Sequence, residues 1–186
     1  MALAKTREQL LESPISNMGQ PIEPLAPPDS FHLSAAVGWL ELGNHGEAND
    51  ELERIAPAFR IHPDVLKVRY EVYAKAGKWE IAADIAQAIT KAVPDVSYGW
   101  FHLAYALHEL KRTQEAWNVL LPVADKFPDL YLIRYNLACY ACQLGNLEEA
   151  MQWLDKAFDI ADKKSVKLMA LKDPDLEPLW GEIARI

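Results

Sequence analysis

Only two cysteines, Cys139 and Cys142, occur in the 186 residues, far too few for the disulfide framework of a small secreted domain. An excess of basic charge is missing too. Lys plus Arg number 19 against 27 Asp plus Glu, which gives a formal net charge of -8. A chain of that sign repels polyanions, so neither nucleic acid nor an anionic membrane surface is an expected partner. No stretch approaches the roughly 18 consecutive apolar residues that a bilayer-crossing helix needs. The opening MALAKTREQLLE has no apolar run of signal-peptide length, so a reducing cytoplasm is the expected home.

Catalytic signatures are absent as well. The chain shows no Ser-His-Asp order, no glycine-rich phosphate loop and no paired metal motif, and its histidines (His32, His45, His62, His102, His108) are scattered. Neither enzyme activity nor a cofactor is expected. Cys139 and Cys142, at i and i+3, share one face of a helix, yet a closed zinc site needs four ligands. His108 is the one plausible third ligand, so no metal is expected and the thiols are read as small groups filling a wall.

What the chain does have is a period. Ala48, Ala82, Ala116 and Ala150 stand 34 residues apart. Four residues before each lies a polar residue (Asn44, Lys78, Arg112, Asn146). Before that comes Gly43, Gly77, Lys111 or Gly145, and before that Leu42, Ala76, Leu110 or Leu144. A glycine supplies the left-handed conformation that ends a first helix, and a small alanine lets the second helix approach it closely. Lys111 breaks the glycine rule, so its turn is expected to carry strain or end differently. Leu103, Ala104 and Leu107 recur as Leu137, Ala138 and Ala141, a helical face. Pro94-Asp95 and Pro128-Asp129 close two units, with each Asp a candidate cap for the next helix, and Pro63 stands at the first position of another. Pro57 and Pro122 fall inside second helices, where a kink or early end is expected.

The phrases WFHLAYALHELKRTQEAWNVLLPVADKFP from Trp100 and YNLACYACQLGNLEEAMQWLDKAF from Tyr135 resemble tetratricopeptide repeats. The resemblance implies an all-α, right-handed superhelical solenoid of antiparallel helix pairs. About four repeats are expected (30–62, 63–96, 97–130, 131–162), preceded by an N-terminal arm with a Pro-rich linker (1–29) and closed by capping helices (163–186). Arg69 and Tyr70 in the second repeat stand where the family pattern has a leucine and a small residue. LKDPDLEPLW resembles the closing segment of many bacterial repeat arrays, with Leu168, Leu171, Leu176, Leu179, Trp180 and Ile183 available to cover the last unit. In the arm, Ala2 to Glu12 reads as a short helix, and Ile15, Ile22 and Leu25 as residues that dock on the array or hang loose.

The same resemblance implies that first helices line a concave peptide-binding groove. The inward stripe is Leu33, Val37 and Leu40; Asp64, Lys67, Glu71 and Ala74; Tyr98, Phe101, Tyr105 and His108; then Leu132, Tyr135, Cys139 and Cys142. Lys67, Glu71, Tyr98, Phe101, Tyr105, His108, Leu132, Tyr135, Cys139 and Cys142 are the candidate contact residues, because aromatic rings with a polar handle are enriched at protein interfaces. A carboxylate clamp of the chaperone-binding type is excluded, since Lys67 alone has the right chemistry. The expected function is a scaffold or adaptor, of bacterial type, that binds a peptide or amphipathic helix of another protein. The alternatives are a secretion-type chaperone for a specific cargo and a self-assembling module, which keeps a homo-oligomer open.

Overall fold

The computed structural model describes residues 22–186, and these hold helices and no strand. The expected helix over Ala2 to Glu12, the linker up to Pro21 and Ile15 lie outside the described residues. Two compact bodies divide the chain after Ala106.

The first body contains α1 (Asp29–Glu41), α2 (His45–Arg54), α3 (Pro63–Lys75), α4 (Trp79–Ala92) and most of α5 (Ser97–Glu109). Two of the starts are capped by a neighbouring side chain. Asn44 caps α2 by accepting from the Glu47 amide, and the ring of His62 does the same for Asp64 ahead of Pro63, whose missing N–H costs nothing at that position. Helix α2 stops at Arg54, and Pro57 opens a single 3-10 turn, Pro57–Phe59, the early end its ring demands. Asp29 Oδ1 accepts from the Ala56 amide at 2.7 Å and ties that turn to the start of α1. The core between α1, α2 and α3 is Ala36, Leu40, Ala48, Leu52, Ile55, Val65, Val68 and Val72. Fully burying one such leucine, isoleucine or valine is worth about 1.5–3 kcal/mol. Leu25 packs on this cluster, and the His62 Nε2 lies 3.0 Å from the Glu23 carbonyl, so the chain from residue 23 to 25 is held against the first repeats. Gly99 is a close approach, because a Cβ there would sit 2.8 Å from the Thr90 amide nitrogen.

The second body contains the end of α5, α6 (Thr113–Leu120), α7 (Tyr131–Gln143), α8 (Leu147–Ile160), α9 (Lys163–Ala170) and α10 (Trp180–Ile183). Pro122 ends α6 in a 3-10 turn, Leu121–Val123. Asp129 is not a helix cap: α7 has Leu130 at that position and no side-chain bond there. After α9 a longer 3-10 helix, Pro174–Leu179, packs on α7, and α10 follows it. Leu176, Leu179 and Ile183 are fully buried and close the end of the array, whereas Leu168 is 51% exposed and plays no part in that cover.

The four period-defining alanines are all at 0% exposure, packed inside the helix pairs. The turns before them share one geometry. Gly43, Gly77 and Gly145 have φ of +76, +70 and +85, and Lys111 adopts the same left-handed state at +63. Each amide at this position bonds three residues back and the next amide five back, as in Lys111 to the His108 carbonyl (2.8 Å) and Arg112 to Leu107 (2.9 Å). The lysine turn therefore ends like the others and carries the backbone strain itself.

Candidate first-helix site

Nine of the ten predicted contact residues are buried, and Tyr105 is half-buried. They fall into two groups, one in each body, each built around a hydrogen-bonded centre.

In the first body the centre is Tyr98. Its hydroxyl donates to Glu71 Oε1 at 3.1 Å and lies 3.4 Å from the Lys67 carbonyl, linking α5 to α3. The Lys67 ammonium lies 5.2 Å from the centre of the Tyr98 ring, a cation-over-ring contact. Burial holds the Lys67 pKa below the usual lysine range, with Asp64 pulling the other way. His102 stacks on Tyr98 (3.9 Å between ring centres), and its Nε2 is 3.7 Å from Glu71 Oε1. The His102 carbonyl accepts from the hydroxyl of the fully buried Tyr70 at 3.3 Å. Phe101 meets the His102 ring edge-on at 5.1 Å. Tyr105 stands apart, edge-on to the half-buried Trp79 at 5.7 Å.

In the second body the predicted wall is engaged by the chain's own closing segment. Tyr135 donates to Asp173 Oδ2 at 2.8 Å, and the Cys139 thiol lies 3.7 Å from the same oxygen. His108 Nε2 is 3.0 Å from Asp175 Oδ2, and its Nδ1 is 3.0 Å from Thr113 Oγ1. Gln143 Nε2 donates to the Asp175 carbonyl at 3.0 Å, and Trp180 Nε1 to that of Ala170 at 3.0 Å. Leu132 and Cys142 are buried on the same helix without joining these bonds. Burial, and then the Asp173 carboxylate, push the Cys139 thiol well up. Burial, then the neighbouring Cys139 and Asp173, raises the Tyr135 phenol in the same way, so both stay protonated near neutrality.

The family model of the tetratricopeptide repeat matches residues 71–120, from within α3 to the end of α6. That stretch is a tetratricopeptide-repeat segment. The chain's fold agrees with solved structures of tetratricopeptide-repeat proteins. MamA MSR-1 C2 aligns with a TM-score of 0.63 at 22% identity, over 88% of this chain and 91% of that one. MamA RS-1 ArsTM double mutant gives 0.65 at 12% identity, over 78% and 79%. A thermophilic TPR protein in Thermus thermophilus gives 0.60 at 17% identity, over 85% and 100%. At these identities the likeness is one of fold. No curated protein matches the chain significantly.

Within the repeat framework, several residues at these sites escape sequence reasoning. Tyr70 replaces the small residue of the second repeat and fills that space with a ring whose hydroxyl reaches α5. Its neighbour Arg69 replaces the leucine and pairs with Glu53 Oε1 at 2.6 Å. His102 looks like one of several scattered histidines until α5 stacks it on Tyr98. Asp173 and Asp175 read as turn formers in Asp-Pro-Asp, and nothing in that phrase points toward α7. Among the described residues, no helix is long and apolar enough to cross a membrane.

Proposed function

We propose that the chain is an adaptor that receives a segment of another protein along the first helices of its second and third repeats. Lys67, Glu71, Tyr98, Phe101 and Tyr105 are the contact set. Tetratricopeptide repeats are, in general, protein-interaction scaffolds rather than catalysts. The observation that supports this particular surface is the Tyr98 cluster. It gathers a cation, an anion and aromatic rings on the helices where the family receives peptides, and it orders them before a partner arrives. Pre-ordered side chains lose little entropy on binding. Tyr105 and Trp79 form the accessible edge, and the buried members are reached as a partner replaces contacts they make in the free chain. His108, Leu132, Tyr135, Cys139 and Cys142 belong to the region where the closing segment takes up polar atoms, so they contribute to stability before recognition.

The test is affinity capture from a bacterial lysate with the wild-type chain and with Tyr105→Ala and Lys67→Met, each checked by a circular dichroism melt. A partner retained by the wild type and lost by both variants at unchanged melting temperature supports the reading. Retention by both variants refutes this surface. Recovery of only further copies of the chain points to self-association instead, to be confirmed by light scattering across concentrations.

A further inference from the structure

The closing segment brings two carboxylates onto a thiol and an imidazole that sit one repeat apart. Cys139 Sγ and one oxygen from each of Asp173 and Asp175 lie within 4.8 Å of one another. His108 Nε2 lies outside that group but touches its Asp175 Oδ2 at 3.0 Å. Four donor atoms of types N, S, O and O thus come from three separate elements: the end of α5, the middle of α7, and the segment around the last 3-10 helix.

Their spacing suits a small tetrahedral ion. Zinc–ligand bonds of about 2.0–2.3 Å put neighbouring donors roughly 3.3–3.6 Å apart. The His108–Asp175 contact at 3.0 Å and the Cys139–Asp173 contact at 3.7 Å bracket that separation for two of the donor pairs, and His108 would have to turn toward the other three to complete the shell. The outer contacts are those of a metal centre as well. Thr113 Oγ1 engages His108 Nδ1, which leaves Nε2 for Asp175, and Tyr135 holds Asp173 through its hydroxyl. Asp173 Oδ1 also accepts from the Asp175 amide at 3.0 Å, so the two carboxylates keep a set relation. His108, Cys139 and Asp173 are buried, while the Asp175 side chain is 36% exposed and opens an entry path. Among the described residues, His108 is the basic group paired with either carboxylate.

We propose that His108, Cys139, Asp173 and Asp175 form a binding site for a borderline divalent transition-metal cation of the zinc class. A mixed imidazole, thiolate and carboxylate set selects zinc or cobalt over magnesium or calcium, which take all-oxygen shells. On binding, the Cys139 S–H bond breaks, its proton leaves to solvent, and the sulfur lone pair forms the bond to the metal. No redox partner is needed. The site clamps the closing segment to α7 and to the end of α5, and it is independent of any partner taken up around Tyr98.

The probe is Co2+ added to the full chain under a non-thiol reductant. The expected result is one equivalent bound, with a thiolate-to-cobalt charge-transfer band in the near ultraviolet that Zn2+ abolishes. Cys139→Ser is expected to remove the band, Asp175→Asn to weaken Co2+ binding at least tenfold, and Cys142→Ser to leave both unchanged. Zn2+ is expected to raise the melting temperature of the wild type and not that of Cys139→Ser. Absence of the band at saturating Co2+ overturns the proposal. So does a band that survives in Cys139→Ser or disappears in Cys142→Ser. If Cys139→Ser does not fold, Asp175→Asn decides: its third-exposed side chain is removable without a core change, and wild-type affinity in that variant also overturns the site.

Discussion

Replacing Lys111 by glycine should stabilise the protein, and the size of the gain follows from the turn geometry. Four turns join first to second helices, and all four place one residue in the left-handed region, at φ of +63 to +85. Three use glycine; the fourth uses Lys111 with the same two closing hydrogen bonds. A residue with a Cβ pays about 1–2 kcal/mol for that conformation. Glycine removes this cost, but its freer unfolded chain returns about 0.5–1 kcal/mol. Losing a cation near the negative end of α5 subtracts a further ~0.3 kcal/mol. The net expectation for Lys111→Gly is a gain of about 0.5 kcal/mol, or about 1–2 °C in melting temperature for a chain of this size. Thermal melts by circular dichroism with a parallel urea titration measure it. Two controls separate conformation from charge. Lys111→Ala loses the charge, keeps the Cβ and should show no gain. Gly145→Ala should lose about 1 kcal/mol, although a Cβ there meets nothing within 4 Å. If Lys111→Gly melts at or below the wild type, the strain argument fails.

Gly99→Ala should cost about 1–3 kcal/mol by overpacking, since the new methyl would lie 2.8 Å from the Thr90 amide nitrogen and 3.0 Å from Ile89 Cγ2; a urea titration reads this directly. Leu176→Ala, at a fully buried position of the closing segment, should cost about 2–5 kcal/mol, against no more than about 0.5 kcal/mol for the half-exposed Leu168→Ala. Equal effects of the two would mean that the segment does not cover the last repeat. Lys67 supplies a pH test. Its folded pKa is depressed, so between that value and the ordinary lysine pKa the unfolded chain binds more protons, and stability should rise with pH across that window. Lys67→Met should remove this alkaline rise and leave neutral-pH stability equal to or above that of the wild type; a rise that persists in the variant assigns it to another group.

The repeat itself was legible because it obeys local rules. A left-handed turn wants glycine, a close helix crossing wants alanine, and a proline ends a helix, and each requirement shows as a residue type at a regular interval. Pro57 and Pro122 ended their helices for that reason. Lys111 shows the limit of the rule, since tertiary context holds a lysine where propensity asks for glycine. The site was less legible because its geometry depends on long-range partners. Cys139 and Asp173 are 34 residues apart, and His108 and Asp175 are 67 apart. No local pattern announces those meetings. The helical register could place Tyr98, Lys67 and Glu71 on related faces, but not the stacking of His102 between Tyr70 and Tyr98.

The burial of these residues changes how a tyrosine-rich first helix should be read in this family. A ring with a hydroxyl suits an interface because it pairs apolar area with one directional bond. The same two properties suit a joint between neighbouring first helices, where Tyr70 and Tyr98 each spend their hydroxyl on a group of another helix. A hydroxyl so committed is released to a partner only if the partner offers an equal acceptor, because a buried donor left unpaired costs about 1–3 kcal/mol. Recognition through Tyr98 is therefore an exchange of acceptors and contributes mainly to specificity. Net affinity must come from more accessible surface, and beside the Tyr98 cluster the half-buried pair Trp79 and Tyr105 offers it. This ordering predicts that Tyr98→Phe broadens the range of captured segments at little cost in strength, whereas Tyr105→Ala weakens every one of them.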